Sequence, residues 1–214
     1  MLQKHFILAS NSPRRRELLQ QAGVPFTVMP SKINEVITKA EPEEIVQELS
    51  AQKAEDVFQG LEDGEKETSI VLGADTVVAC EGVMEGACME GKEKGDAGLQ
   101  ILGKPKNQEE AFCMLKKLQG KSHLVYTGVT LVWQEKGKIE RESFAAETKV
   151  VFYPMTDEEI RTYIETKEPM DKAGAYGIQG KGAIYIKEIQ GDYNNVVGLP
   201  LGALYQRMKE IFIN

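Results

Sequence analysis

Short apolar runs alternate along this chain with longer stretches whose apolar positions recur at helical spacing. Short runs favour strands, and a recurrence every three to four residues favours helices. The runs predict strands at 6–9, 26–29, 69–80, 124–133, 140–152 and 183–189. The helical spacing predicts helices at 13–22, 42–60 and 107–120, one from 156 to before Pro169, and one from about 199 onward. Helices and strands in this mixture indicate an α/β or α+β domain.

Capping residues support the predicted helix starts. Ser12 is a suitable N-cap, and Pro13 is a suitable first helical residue. Thr156 and Glu159 have the spacing of a capping box. Residues 81–100 are instead rich in Gly, Glu and Lys, and they predict a mobile loop or an irregular hairpin.

Composition limits the classes of function. The 214 residues, 42% of them hydrophobic, suffice for one core or for two lobes that share a sheet. The net charge of −7 argues against broad binding to nucleic acid or to anionic membrane. A polyanionic substrate would therefore need a local cluster of cations or a bound metal. The three cysteines are odd in number and widely spaced, so we expect neither a disulfide framework nor a structural zinc site.

Two cationic features stand in unexpected places. Arg14, Arg15 and Arg16 fall in the first turn of a predicted helix, where the helix dipole is already positive. Such a terminus suits a phosphate, although a solvated helix face would have the same sequence. Lys53 falls near the centre of the apolar stripe of helix 42–60. Its side chain must either reach past the stripe to water or point into a polar cleft.

Asp75 is an acid inside an apolar strand, with Thr76 beside it. A buried, unpartnered carboxylate costs several kcal/mol, so Asp75 must be paired, protonated or bound to a metal. A structural ion pair at a strand end is the alternative to a functional role. The glycine-rich stretch 173–180 could bring backbone close to a ligand, and Gln179 offers both a donor and an acceptor for a base edge. Such a stretch is also common in plain turns.

Together these features resemble the Maf family of nucleoside triphosphate pyrophosphatases. The matching stretches are LASNSPRRRELL (8–19), LGADTVV (72–78), GKP (103–105), YTGV (126–129), EPMDKAGAYGIQG (168–180) and VGLP (197–200). They occur in the family's order and span nearly the whole chain. The resemblance implies one domain over 1–214, with a twisted mixed β-sheet flanked by helices and two lobes around a central cleft. It also implies a homodimer.

The resemblance further implies an activity. Members cleave nucleoside triphosphates between the α and β phosphates with Mg²⁺ or a similar ion, and GAYGIQG resembles the branch that acts on dTTP and UTP. Asp75 aligns with the family's general base, while Lys53 and Glu35 fall where the family carries a lysine and an acid. Positions linked to substrate choice align with Arg14, Thr76 and Gln179.

The chemistry of the residues fits this activity. Mg²⁺ prefers oxygen ligands and keeps several waters, so Glu35 and Asp75 suffice as metal ligands. Water activated beside Asp75 would attack the α-phosphorus with metal assistance. The predicted phosphate ligands are Ser10, Arg14, Lys53 and Lys104. From the residues alone, metal ligand and general base remain equally good roles for Asp75.

One segment departs from the family pattern, since roughly 86–98 reads as a flexible insertion that could be disordered, a lid or a dimer contact.

The N-terminus lacks a signal-peptide pattern, so we expect a cytoplasmic protein that binds neither nucleic acid nor membrane. Two alternatives to the leading function stay open. One is a regulatory cell-division protein that acts through partners, because the family was associated with septum formation. The other is a pyrophosphatase with a different base specificity.

Overall fold

The computed structural model describes residues 4–82 and 98–212. Its strands are β1 (His5–Leu8), β2 (Phe26–Val28), β3 (Ser69–Glu81), β4 (Leu99–Leu102), β5 (Ser122–Glu135), β6 (Lys138–Phe152) and β7 (Ile186–Gln190). Its α-helices are α1 (Pro13–Gln21), α2 (Pro42–Gln59), α3 (Asp63–Thr68), α4 (Gln108–Leu118), α5 (Asp157–Glu165), α6 (Tyr193–Val197) and α7 (Leu201–Phe212).

The seven strands form one mixed sheet in the order β2-β1-β3-β5-β6-β7, with β4 also paired to β3. Strand β1 runs parallel to both β2 and β3. Strand β4 is antiparallel to β3, and β7 is antiparallel to β6. The α/β fold with a mixed sheet and flanking helices is therefore confirmed.

The predicted hairpin between 124–133 and 140–152 is present as β5 and β6, which are neighbours in the sheet. Lys136 and Gly137 form the two-residue turn, with φ of 52° and 76°. Positive φ at both central positions is typical of turns that match the twist of an antiparallel pair. The glycine accepts this conformation without strain, which explains its place in the turn.

The described residues divide into two compact units. Unit 1 contains 4–76, 127–146 and 194–212, and unit 2 contains 77–82, 98–126 and 147–193. Within unit 1, α2 packs on the sheet through a cluster of buried side chains. The cluster comprises Ile7, Ala9, Ala54, Val57, Phe58, Leu61, Val71 and Val132. This packing fixes α2, and hence Lys53, against β3.

Unit 2 has an aromatic core of its own around His123. Its Nε2 lies 2.7 Å from the Tyr176 hydroxyl, and its ring meets Phe152 edge to face. Burial lowers the pKa of His123 to about 3, so the imidazole is neutral at physiological pH. We therefore assign this histidine to packing rather than to proton transfer.

Three sequence expectations were wrong in detail. The strand predicted at 183–189 begins only at Ile186, because Gly180–Tyr185 form 3₁₀ turns. The short helices α3 and α6 were not predicted, since neither is long enough to show an apolar stripe. The segment predicted at 81–100 was too long at both ends, because Glu81 still belongs to β3 and Leu99 already begins β4.

The predicted insertion at 86–98 lies outside the described residues except for its last position. Cys80 is a buried free thiol, whereas Cys113 is disulfide-bonded. One bridge is not a disulfide framework. No helix among the described residues combines the length and apolar character needed to cross a membrane.

Candidate active site

Lys53 lies between two carboxylates in unit 1. Its Nζ is 2.5 Å from Asp75 Oδ1 and 3.1 Å from Glu35 Oε1. The side chains of Lys53 and Asp75 are only 15% and 14% exposed, while that of Glu35 is 43% exposed. The ammonium group therefore points at the acids instead of extending to water, and Asp75 is ion-paired as its burial requires.

Close packing of α2 on β3 brings Lys53 to Asp75. A Cβ atom added at Gly73 would lie 2.2 Å from the Ser50 carbonyl oxygen and 2.8 Å from the Ala54 backbone nitrogen. Real side chains do not tolerate such contacts, so glycine is needed for this approach. Gly73 precedes Asp75 by two residues on β3, and residues two apart on a strand face the same side of the sheet. The close contact at Gly73 and the ion pair at Asp75 therefore lie on the same side, toward α2.

Glu35 belongs to an extended segment, residues 31–38, that we call the strap. Three side chains of α2, spaced four residues apart, hold the strap. Glu48 accepts from the backbone nitrogen and hydroxyl of Thr38, Gln52 bonds both backbone groups of Val36, and Asp56 accepts from the Ser31 hydroxyl and the Lys32 nitrogen. These contacts fix the position of Glu35 next to Lys53.

The three strap-binding side chains were not among the residues predicted from the sequence. Glu48, Gln52 and Asp56 follow one another at the four-residue spacing that places side chains on one face of a helix. That polar face was a detectable signal. Its partner segment was not, because the strap has no regular structure and no periodic pattern.

Arg15 is the centre of a second network in unit 1. Its Nε donates to the Gly198 carbonyl at 2.8 Å, and its two terminal nitrogens donate to Ser10 Oγ and Thr76 Oγ1, each at 3.1 Å. Burial lowers the pKa of the Arg15 guanidinium, while the charge of Asp75 raises it. Of the arginine run, only Arg14 was predicted to have a role of its own, and the network of Arg15 was not expected.

The direction of the Thr76 hydroxyl follows from its neighbours. Thr127 Oγ1 donates its single hydrogen to the Asn195 carbonyl oxygen at 3.0 Å. Thr76 Oγ1 lies 2.9 Å from Thr127 Oγ1, so Thr76 must be the donor of that bond. Thr76 also accepts from Arg15, which leaves its oxygen able to accept one more hydrogen bond and unable to donate one.

The Arg15 network leads to a stability prediction. Arg15→Lys keeps the charge but loses the planar fork that reaches three acceptors at once. We expect the free energy of unfolding to fall by about 1–3 kcal/mol, because lysine cannot donate to all three of the acceptors that Arg15 bonds, Gly198 O, Ser10 Oγ and Thr76 Oγ1. Urea unfolding followed by circular dichroism measures this change.

Arg141→Lys is the matched control for that measurement. Arg141 pairs with Glu55 at 2.8 Å, but both side chains are well exposed. An exposed pair contributes less than about 1 kcal/mol, so this variant should unfold close to the parent protein. Equal losses in the two variants would contradict a special role for Arg15.

The carboxylates of Glu35 and Asp75 fit a divalent ion. The second oxygen of each accepts no hydrogen bond from any described residue, so each acid keeps a ligand atom available. Across the described residues, no group of three or more His, Cys, Asp or Glu side chains surrounds a common point. Two carboxylates nonetheless suit Mg²⁺, which retains several waters and takes further oxygens from phosphates.

The remaining predicted residues lie elsewhere in the chain. Arg14 occupies the first turn of α1 in unit 1 and is partly buried. Lys104 is exposed just after β4 and belongs to unit 2, as does the partly buried Gln179. Unit 1 thus brings Glu35, Lys53 and Asp75 into direct contact. It also joins Ser10 to Thr76 through Arg15, while Lys104 and Gln179 are placed by unit 2.

Comparison with known proteins gives a consistent result. The family model described as Maf-like protein matches residues 5–211. A protein of Agathobacter rectalis named dTTP/UTP pyrophosphatase is 49% identical, with 97% of this chain and 98% of the relative aligned. Proteins with the same name from Carboxydothermus hydrogenoformans and Bacillus cytotoxicus are 46% and 48% identical. These alignments cover 95% and 97% of this chain, and 96% and 95% of the relatives.

Proposed function

Because this chain belongs to the Maf family, we propose that it hydrolyses pyrimidine nucleoside triphosphates, dTTP and UTP among them, to nucleoside monophosphate and pyrophosphate. Relatives at 43–49% identity, aligned over nearly their full lengths, carry the name dTTP/UTP pyrophosphatase. The structural observation that supports this proposal is the cluster of Asp75, Lys53 and Glu35, in which two acids and a cation lie together.

Asp75 is the residue to which we assign proton transfer. Its carboxylate accepts the proton of a water whose oxygen attacks the α-phosphorus, and the bond from that phosphorus to the bridging oxygen breaks as pyrophosphate leaves. Lys53 holds the carboxylate of Asp75 in place by their 2.5 Å contact and contributes positive charge near the reacting phosphates. Glu35 and Asp75 would also hold Mg²⁺ or Mn²⁺. When bound, the ion neutralises phosphate charge.

The substrate contacts are divided between phosphates and base. Ser10, Arg14 and Lys104 bind phosphate oxygens, together with Lys53. Thr76 and Gln179 contact the base. The acceptor-only state of the Thr76 hydroxyl suits a donor on the base, and the amide of Gln179, which bonds to none of the described residues, can take either role.

Three further properties complete the proposal. The protein works in the cytoplasm, acts as a homodimer, and binds neither nucleic acid nor membrane. The net charge of −7 supports the absence of nucleic-acid and membrane partners. The homodimer follows from family resemblance, and gel filtration with light scattering tests it.

A nucleotide panel tests the proposed activity. Purified protein is supplied with dTTP, UTP, CTP, ATP or GTP in the presence of Mg²⁺ or Mn²⁺, and pyrophosphate and monophosphate are measured. With dTTP and with UTP, we expect pyrophosphate and nucleoside monophosphate to be released in equal amounts. Chelation with EDTA should abolish that release. Absence of pyrophosphate with every nucleotide and both metals would refute the proposal.

A further inference from the structure

The carboxylate of Glu168 in unit 2 bonds to the glycine loop, residues 177–182, that carries Gln179. Three donors from that unit converge on it. Oε1 accepts from the Tyr163 hydroxyl at 2.9 Å and from the Gly182 backbone nitrogen at 3.1 Å, and Oε2 accepts from the Lys181 backbone nitrogen at 3.0 Å. One acidic side chain thus binds the loop just after Gln179.

Tyr163 extends the same contact to the other side of Gln179. Its hydroxyl oxygen accepts from the Gly177 backbone nitrogen at 3.1 Å while its hydrogen goes to Glu168. Tyr163 is only 2% exposed, so its ring is held by packing. The backbone is therefore fixed at Gly177 and at Lys181, with Gln179 midway between them.

Two glycines of this loop leave no space for a side chain. Gly180 has φ of +79°, and an added Cβ would lie 2.7 Å from Glu168 Oε2. An added Cβ at Gly182 would lie 2.5 Å from the Tyr163 hydroxyl oxygen. The loop therefore wraps around the carboxylate at a distance that only glycine permits.

The backbone of Glu168 is also held by a hydrogen bond. Lys172 Nζ donates to the Glu168 carbonyl oxygen at 2.6 Å and to Asp171 at 2.7 Å. Burial alone would raise the pKa of Glu168, but the bonds from Lys181, Tyr163 and Gly182 and the charge of Lys172 lower it. The carboxylate is therefore ionised near neutral pH, where it is the strongest acceptor for these donors.

The side chain of Gln179 bonds to none of the described residues. Its orientation therefore depends on the backbone that carries it. We propose that Glu168, acting with Tyr163, is a positioning residue that sets Gln179 and thereby the selectivity among bases. This inference rests on the proposed function, in which Gln179 contacts the base.

Glu168→Gln tests the inference. The amide keeps the shape of the carboxylate, but one of its two oxygens becomes an NH₂ group. That group faces a backbone N–H of Lys181 or Gly182 and cannot accept from it, so the loop loses a hydrogen bond on that side. We expect the ratio of kcat/KM for UTP to kcat/KM for GTP to fall about tenfold, mainly through a higher KM for UTP. A merely structural loss would reduce active enzyme equally for all nucleotides and leave this ratio unchanged.

Three comparisons make the result decisive. Glu165→Gln removes an exposed charge three residues earlier and should leave the ratio unaltered. Tyr163→Phe should lower the ratio in the same direction, and it provides a second route if Glu168→Gln fails to fold. In a Gln179→Ala background, Glu168→Gln should cause no further fall, because it acts through Gln179.

The outcomes separate the two proposals. A parent protein that cleaves no triphosphate overturns the proposed function and this inference with it. A parent protein that discriminates among bases, with Glu168→Gln and Tyr163→Phe discriminating equally well, overturns the inference alone. Faster amide hydrogen exchange at 177–182 in Glu168→Gln supports release of the loop, and unchanged exchange contradicts it.

Discussion

Replacing Asp75 with asparagine should lower kcat/KM for dTTP about 10³-fold and leave the fold intact. General base catalysis typically contributes 10²–10⁴-fold, and loss of a negative ligand weakens metal binding as well. Asparagine has nearly the same shape and still offers Oδ1 to Lys53, which also keeps its 3.1 Å contact with Glu35. We therefore expect the free energy of unfolding to change by no more than about 1 kcal/mol.

Steady-state pyrophosphate release and urea unfolding, made on the same preparation, check both halves of this expectation. Asp63→Asn is the matched control, because Asp63 is a fully exposed carboxylate paired with Lys66 in α3. It should behave like the parent protein in both measurements. Turnover of Asp75→Asn within about tenfold of the parent would remove Asp75 from the role of base.

Lys53→Met should lower kcat/KM about 10²-fold. Methionine fills a similar volume but leaves the carboxylates of Glu35 and Asp75 without the cation between them. The two acids then repel each other, and the Asp75 carboxylate loses the contact that orients it; such misplacement costs about 10²-fold in rate. We also expect the free energy of unfolding to fall by roughly 1–3 kcal/mol, since a mostly buried charge loses its partner.

The control for Lys53→Met is Lys39→Met, which removes an exposed lysine that lies 3.9 Å from Glu44. That variant should retain full turnover and nearly full stability. The same nucleotide panel and urea titration serve for both variants. Full activity of Lys53→Met would show that Asp75 needs no neighbouring cation, and the proposed geometry would then be wrong.

Much of the fold could be predicted from local pattern. The helix starts at Ser12 and Thr156 follow from capping chemistry, and both side chains accept backbone hydrogen bonds as predicted. The β5–β6 hairpin follows from two long apolar runs with a glycine turn between them. The start of β7 could not be read in this way. Residues 180–185 before it form 3₁₀ turns, in which the Lys181 and Gly182 backbone nitrogens bond to Glu168, twelve residues before Gly180.

The candidate site shows a similar division. Asp75 and Lys53 were detectable because a charged residue on an apolar face demands a partner. The identity of that partner was not detectable from periodicity, since the two residues lie on different elements and meet only through packing at Gly73. Arg15 was indistinguishable from Arg14 in the sequence, because its distinction comes from the Gly198 carbonyl, 183 positions away.

The strap limits the sequence changes that α2 can accept. Its three contacts depend on Glu48, Gln52 and Asp56 sharing one helix face, while Lys53 points from a neighbouring face toward Asp75. Each inserted or deleted residue rotates the rest of a helix by about 100° and shifts it by about 1.5 Å. Exchanges of single side chains on α2 alter one contact at a time. A change of one residue in its length between Glu48 and Asp56 would separate the strap from the lysine, so α2 is constrained in length more strictly than in composition.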